Sequence, residues 1–179
     1  MKRRDNFIVV VILLIVTGGY LLVKQPWSQP VPVNPGGHNH ASSMSEAMQN
    51  IGELPEDYDA LIAMGNEYMD NFNYPVAAEC YRRALEIDGS SLDVRTDYGA
   101  CLHGMGLLER ARDEFNKVLA EDESHPVANY NLGIVFYNLE NDDSARYYWE
   151  RFLMVEPEGQ VSASVRNVLK EMDKGDGSM

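Results

Sequence analysis

The chain has 179 residues, a formal net charge of −13 and two cysteines. Such a length holds one modest domain with appendages, two cysteines make no disulfide framework, and an acidic surface repels nucleic acid and anionic lipid headgroups. The acidity is concentrated from Gly52 to Met179, where 26 Asp and Glu stand against 11 Lys and Arg, a balance of −15. That excess suits either plain solubility or a partner with basic flanks.

Residues 1–6 carry Lys2, Arg3 and Arg4, and the run from Phe7 to Val23 contains no charge. As a helix this run spans roughly 25 Å, enough for a thin bilayer core. It exceeds the apolar stretch of an ordinary signal peptide, which favours a retained signal-anchor, although Thr17, Gly18 and Gly19 leave cleavage open. The positive charge before it predicts a cytoplasmic N-terminus and an exported remainder. In a bacterial envelope with two membranes this is a single-pass inner-membrane protein with a periplasmic domain.

Residues 24–42 are rich in Pro and Gly and read as an extended linker. His38 and His40 lie in it without a further ligand at metal-binding spacing. A short helix is expected over 43–54, with Ser43 and Glu46 as a capping box and Met44, Met48, Ile51 and Leu54 on one side. That apolar side should pack on the next helices of the chain.

From there a fixed step governs the sequence. Gly65, Gly99 and Gly133 are evenly spaced. Ala77, Ala111 and Ala145 keep the same step, and so do Tyr81, Phe115 and Trp149. A fixed period of roughly 20–50 residues marks a solenoid, in which each unit buries its apolar face by stacking on its neighbours. The small residues let paired helices approach and the aromatics fill the space between them. Three units are expected, at 58–91, 92–125 and 126–159, with turns at Asn71–Tyr74, Gly104–Leu107 and Glu140–Asp143. Cys80 and Cys101 fall on helices that should meet, as buried thiols rather than a bridge. A capping helix is expected over 160–174, striped by Val161, Val165, Val168, Leu169 and Met172, then a frayed tail at 175–179.

Nothing in the chain has catalytic spacing. There is no phosphate-binding glycine loop, no G-x-S-x-G and no H-E-x-x-H, and His103 and His125 lack a nucleophile or ligand pattern around them. His125, next to Pro126, reads as a loop residue. Neither an enzyme, nor a cofactor, nor a metal site is expected.

The segments LIAMGNEYMDNFNYPVAAECYRRALEIDG (61–89), RTDYGACLHGMGLLERARDEFNKVLAED (95–122) and NYNLGIVFYNLENDDSARYYWERFLMVEP (129–157) resemble tetratricopeptide repeats. The chain departs from that pattern where Arg95 and Asn129 hold the usual tryptophan place, kept apolar only by Leu61. The resemblance implies an all-α helix–turn–helix solenoid with flanking capping helices, besides the transmembrane helix. It also implies a concave groove lined by the first helix of each unit. Carried over by position, the groove would comprise Asp59, Ile62, Asn66, Met69 and Asp70, then Thr96, Ala100 and His103, then Tyr130, Ile134, Tyr137 and Asn138.

Ile62, Val127 and Asn131 stand where the family's carboxylate clamp needs cations, so capture of chaperone tails is not expected. The resemblance implies instead a membrane-tethered adaptor that holds a protein or peptide partner. An alternative, suggested by the layout of anchor and repeats, is an accessory subunit of bacterial c-type cytochrome biogenesis that captures apocytochrome. Ile134 above all has a competing role, packing on the capping helix.

Overall fold

Helix starts recur at the step seen in the sequence because side chains at equivalent places cap them. Asp57 Oδ1 accepts from the Ala60 N–H at 2.9 Å, Ser91 Oγ from Val94 at 3.4 Å and His125 Nδ1 from Ala128 at 3.3 Å. Each satisfies a backbone donor that the first helical turn leaves unpaired. The computed structural model describes residues 53–176. The expected transmembrane run at 7–23, the linker at 24–42 and residues 43–52 of the short helix lie outside them. Among the described residues there are seven helices and no strand: α1 (Tyr58–Asp70), α2 (Tyr74–Ile87), α3 (Leu92–Gly104), α4 (Leu108–Glu121), α5 (Pro126–Asn138), α6 (Asp142–Val155) and α7 (Gln160–Asp176). None of them is long and apolar enough to cross a membrane.

The helices form three hairpins, α1/α2, α3/α4 and α5/α6, stacked in chain order with α7 on the last. Each hairpin turns through a left-handed residue at one place: Phe72 (φ 58°), Gly106 (φ 77°) and Glu140 (φ 58°). The N–H after it reaches back to the first helix, Asn73 to the Tyr68 carbonyl at 2.8 Å, Leu107 to Leu102 and Asn141 to Phe136, both at 2.9 Å. This arrangement closes the carbonyls that a helix end leaves open. It also shifts the turns from where the sequence put them. Tyr74 opens α2, Gly104 belongs to the last turn of α3, and Asp142 and Asp143 lie in the first turn of α6. The left-handed corner, not the polarity of the segment, decides where the chain reverses. At the far end α7 runs to Asp176, past the 174 read from its apolar stripe.

Within each hairpin the glycine of the first helix faces the aromatic of the second. A methyl placed on Gly65 would lie 2.7 Å from the Tyr81 ring, on Gly99 2.7 Å from Phe115, and on Gly133 2.2 Å from Trp149. Ala77, Ala111 and Ala145 are fully buried on the second helices. Two apolar clusters result. The larger runs through the first two hairpins into α5, and Leu54 is buried in it ahead of α1. The smaller joins Ala145, Trp149 and Phe152 of α6 to Val165 of α7.

The places where tryptophan is missing are filled by polar ties. Arg95 pairs with Glu114 at 3.0 Å and donates to the Gly89 carbonyl at 2.8 Å. Asn129 donates to the carbonyls of Glu123 and His125 at 3.1 and 3.0 Å, across the joint between the second and third hairpins.

Candidate functional site

Among the first helices of the hairpins, α1, α3 and α5, charge is unevenly placed. They carry Asp59, Glu67, Asp70, Asp93 and Asp97 against a single cation, Arg95, which is already held by Glu114. The cations of α2, α4 and α6 are interleaved with acids, as in the network where Glu79 receives Arg82 at 2.7 Å and Arg83 at 2.9 Å and Arg82 also pairs with Glu86. The unbalanced acidity is thus confined to α1, which has three carboxylates and no cation, whereas α3 sets Asp93 and Asp97 against Arg95, α5 carries no charge and the second helices are near balance.

On α1, Asp59 and Asp70 are exposed, Ile62 and Asn66 are half-buried and Met69 is buried. The Tyr81 hydroxyl, from the fully buried ring on α2, passes the Gly65 gap and donates to Asn66 Oδ1 at 2.6 Å. Met69 Sδ lies 3.6 Å from the same hydroxyl. The Asn66 amide is thereby oriented. Its oxygen is engaged and its NH₂ remains to donate.

On α3, Thr96 is buried and its hydroxyl donates to the Leu92 carbonyl at 2.7 Å, so its proton is spent within its own helix. Ala100 is buried. His103 is also buried, and its Nε2 accepts from Asn138 Nδ2 of α5 at 2.9 Å, which joins consecutive first helices. Burial lowers its pKa from 6.5 to about 4, so the ring is neutral near pH 7 and able to accept.

On α5, the positions read as groove lining meet the end of the molecule. Tyr130, Ile134 and Tyr137 pack in the cluster that contains Val161, Val165, Val168, Leu169 and Met172 of α7. Tyr130 lies 5.3 Å from the Phe152 ring and Tyr137 5.6 Å from Trp149. Their rings serve the cap as well as any groove, and the share of the face left to a ligand shifts toward α1 and α3.

Asp97 does not belong to the set read from the sequence. Its half-buried carboxyl sits on α3 between Asp93 and Cys101 and faces the Tyr81 phenol of α2. Burial first, and then the Asp93 charge, raise its pKa from 3.8 to about 7. One unit further along, at the same helical place, Asn131 holds an amide nitrogen with no hydrogen-bond partner among the described residues. A signal for Asp97 exists in the sequence: Asn131 reads as a clamp position, and Asp97 is its equivalent one repeat earlier. Gly104 is a second omission. It reads as a turn residue, yet a methyl there would lie 2.7 Å from the Tyr74 ring of the neighbouring hairpin.

Away from this face, an open cleft of about 440 Å³ on the first hairpin is lined by Pro55, Glu56, Leu61, Arg82, Arg83, Glu86 and Ile87. Its arginines are already paired. Among the described residues no group of His, Cys, Asp and Glu could hold a metal ion. Cys80 and Cys101 are free and buried, with both thiols pushed up by burial.

Family models described as tetratricopeptide repeat match residues 58–91 and 104–153. The repeats are tetratricopeptide repeats. Protein CTR9 homolog of Arabidopsis thaliana is 30% identical over 95 residues, which is 52% of this chain and 8% of that protein. The chain thus spans a small fraction of the length of that curated relative. The tetratricopeptide domain of Arabidopsis OM64 superposes with a TM-score of 0.61 at 16% identity, over 64% of this chain and 95% of that one. The first such domain of Spaghetti (RPAP3), solved with the HSP90 peptide SRMEEVD, gives 0.60 at 20% identity, over 68% and 96%. These likenesses show the fold. Tetratricopeptide domains are interaction scaffolds, generally without enzymatic activity, and commonly bind proteins or peptides.

Proposed function

We propose that this protein is a membrane-tethered adaptor whose first-helix face holds an extended segment of a partner protein on the exported side of the membrane. The observation that carries this reading is the α1 face, acidic and without a cation. The face offers Asp59 and Asp70 at its rim, Ile62 and Met69 beneath and an oriented Asn66 amide, and the one arginine of the first helices, on α3, is already paired. Such a surface fits an apolar or aromatic segment with basic flanks. The run at 7–23 supplies the tether, and confinement to a membrane raises the effective concentration of groove and partner.

The test uses Asp59→Lys with Asp70→Lys in the full chain. Both side chains are exposed, so the fold should be indifferent to the change. Proximity labelling in the native membrane should lose partners that the unaltered chain labels, and an unchanged set of partners would remove the groove as the site. The narrower reading, capture of apocytochrome for haem attachment, keeps the same groove and names the cargo. Peptides from the C-terminal helix of a c-type cytochrome should then bind at micromolar concentration, and absence of binding eliminates it.

A further inference from the structure

The three hairpins are not alike at their entries. In the second, the Arg95 guanidinium reaches from α3 to Glu114 on α4 at 3.0 Å and to the Gly89 carbonyl at 2.8 Å. In the third, the Asn129 amide donates to the Glu123 carbonyl at 3.1 Å, and Arg151 of α6 donates to the same oxygen at 3.0 Å. In the first, the places of Arg95, Glu114 and Gly89 hold Leu61, Cys80 and Pro55. Leucine has no polar head to make such a tie, and the space left between Pro55 and α2 is the open cleft of about 440 Å³. Ile87 stands at its rim, 55% exposed. The opposite end of the stack is closed by α7 on Trp149 and Phe152, and this end has no such helix among the described residues.

We propose that this cleft is the seat of the chain's own segment 43–52, which lies across the open end of the first hairpin and caps it. The described chain begins at Glu53, Leu54 is already buried in the larger cluster and Pro55 lines the cleft, so the segment is delivered at its edge. As a helix the segment carries Met44, Met48 and Ile51 on one side and reaches about 15 Å. Methionine side chains adapt to irregular gaps. Polar recognition is already spent, since Arg82 is held by Glu79 and Glu86 and Arg83 by Glu79, so the cleft selects by apolar fit. A segment joined to the cleft by its own backbone is present at an effective concentration of roughly millimolar or more, which favours it over a free partner on so undemanding a surface. The seat is separate from the groove. With the membrane anchor of the reading above, it shortens the loose tether to residues 24–42 and draws the α1/α2 end toward the membrane.

The test places a thiol at the rim, Ile87→Cys, in the full chain in detergent, and follows its reaction with a maleimide. Cys80 and Cys101 are buried, with both thiols pushed up by burial, so the new thiol alone should react. It should react about tenfold more slowly than in the same chain bearing Met48→Glu and Ile51→Glu, because only the unseated state exposes it. Equal rates overturn the proposal. Slow reaction in both chains overturns it too, and protection that fades on dilution would give the cleft to a second copy. Ile87→Cys itself trims the contact, so hydrogen exchange on the unaltered chain provides a second reading. The amides of 46–52 should be protected there and lose that protection in Ile87→Glu, a change at an exposed position that the hairpin should tolerate. Unprotected amides in the unaltered chain, or protection that survives Ile87→Glu, overturn the assignment of the seat and leave the groove standing.

Discussion

At the scale of single residues, His103 and Asp97 pull the stability of the domain in opposite directions as pH changes. The buried His103 has its pKa lowered from 6.5 to about 4, so the unfolded chain takes up a proton there that the folded chain refuses. Stability from this residue is complete above 6.5 and is lost as pH falls toward 4. Asp97 is raised from 3.8 to about 7, so the folded chain keeps a proton that the unfolded chain releases, and stability falls as pH rises from 4 through 7. Between 4 and 6.5 the two offset each other. Asp97→Asn should therefore melt above the parent chain at pH 8, with the gap closing toward pH 4.5. His103→Gln removes that offset, so relative to the parent the variant should gain stability as pH falls from 6.5 to 4.5. A gap for Asp97→Asn that is constant with pH contradicts the assignment of the raised carboxyl.

The packing glycines belong to the same scale. Gly99→Ala puts a methyl 2.7 Å from the Phe115 ring, so the hairpin must open, at a cost of about 1–3 kcal/mol, and Gly99→Leu costs more. Shrinking the ring in the double variant Gly99→Ala, Phe115→Leu should return part of the loss. Chemical denaturation reads both, and simple additivity would show that the two residues do not meet.

At the scale of elements, the turns show what the sequence concealed. Glycines and polar residues mark each reversal closely, but the corner is fixed by a positive φ at 72, 106 and 140, and only Gly106 suits it. Phe72 and Glu140 adopt the conformation because the closing hydrogen bonds around them require it. Phe72→Gly should raise stability by roughly 1 kcal/mol, and Gly106→Val should lower it by a similar amount or more. A fall in the melting temperature of Phe72→Gly would show that the exposed ring's contact with Tyr74 outweighs the backbone cost. Helix starts are only half legible in the sequence. Asp57 and Ser91 are ordinary caps, but an imidazole is a rare one, so His125 reads as a loop residue although it stands one period after Ser91 and does the same work.

At the scale of the whole molecule, periodicity makes the stack readable and leaves its ends obscure. A repeat reports the contacts that every unit makes, and is silent where one unit differs. Tyr130, Ile134 and Tyr137 follow the period into the groove positions, but the unit after them is α7, whose apolar stripe draws them into the end cluster. The period does lead from Asn131 to Asp97, but the lack of a partner around Asp97 depends on its surroundings, which no spacing encodes. Ending the chain at Glu158 would bare Trp149, Phe152, Tyr130 and Ile134 together. Such a variant should lose cooperativity and self-associate, as seen by sedimentation. A monomer with the parent's melting curve would show that the cap is dispensable.

The Tyr81 hydroxyl has a further consequence. It fills one of the two lone pairs of the Asn66 oxygen and so fixes which way that amide faces. The second and third hairpins have Phe115 and Trp149 in that role and carry no such lock. Orientation of this amide by a buried phenol is thus confined to the first hairpin, and Tyr81→Phe should release the amide while keeping the ring in the core.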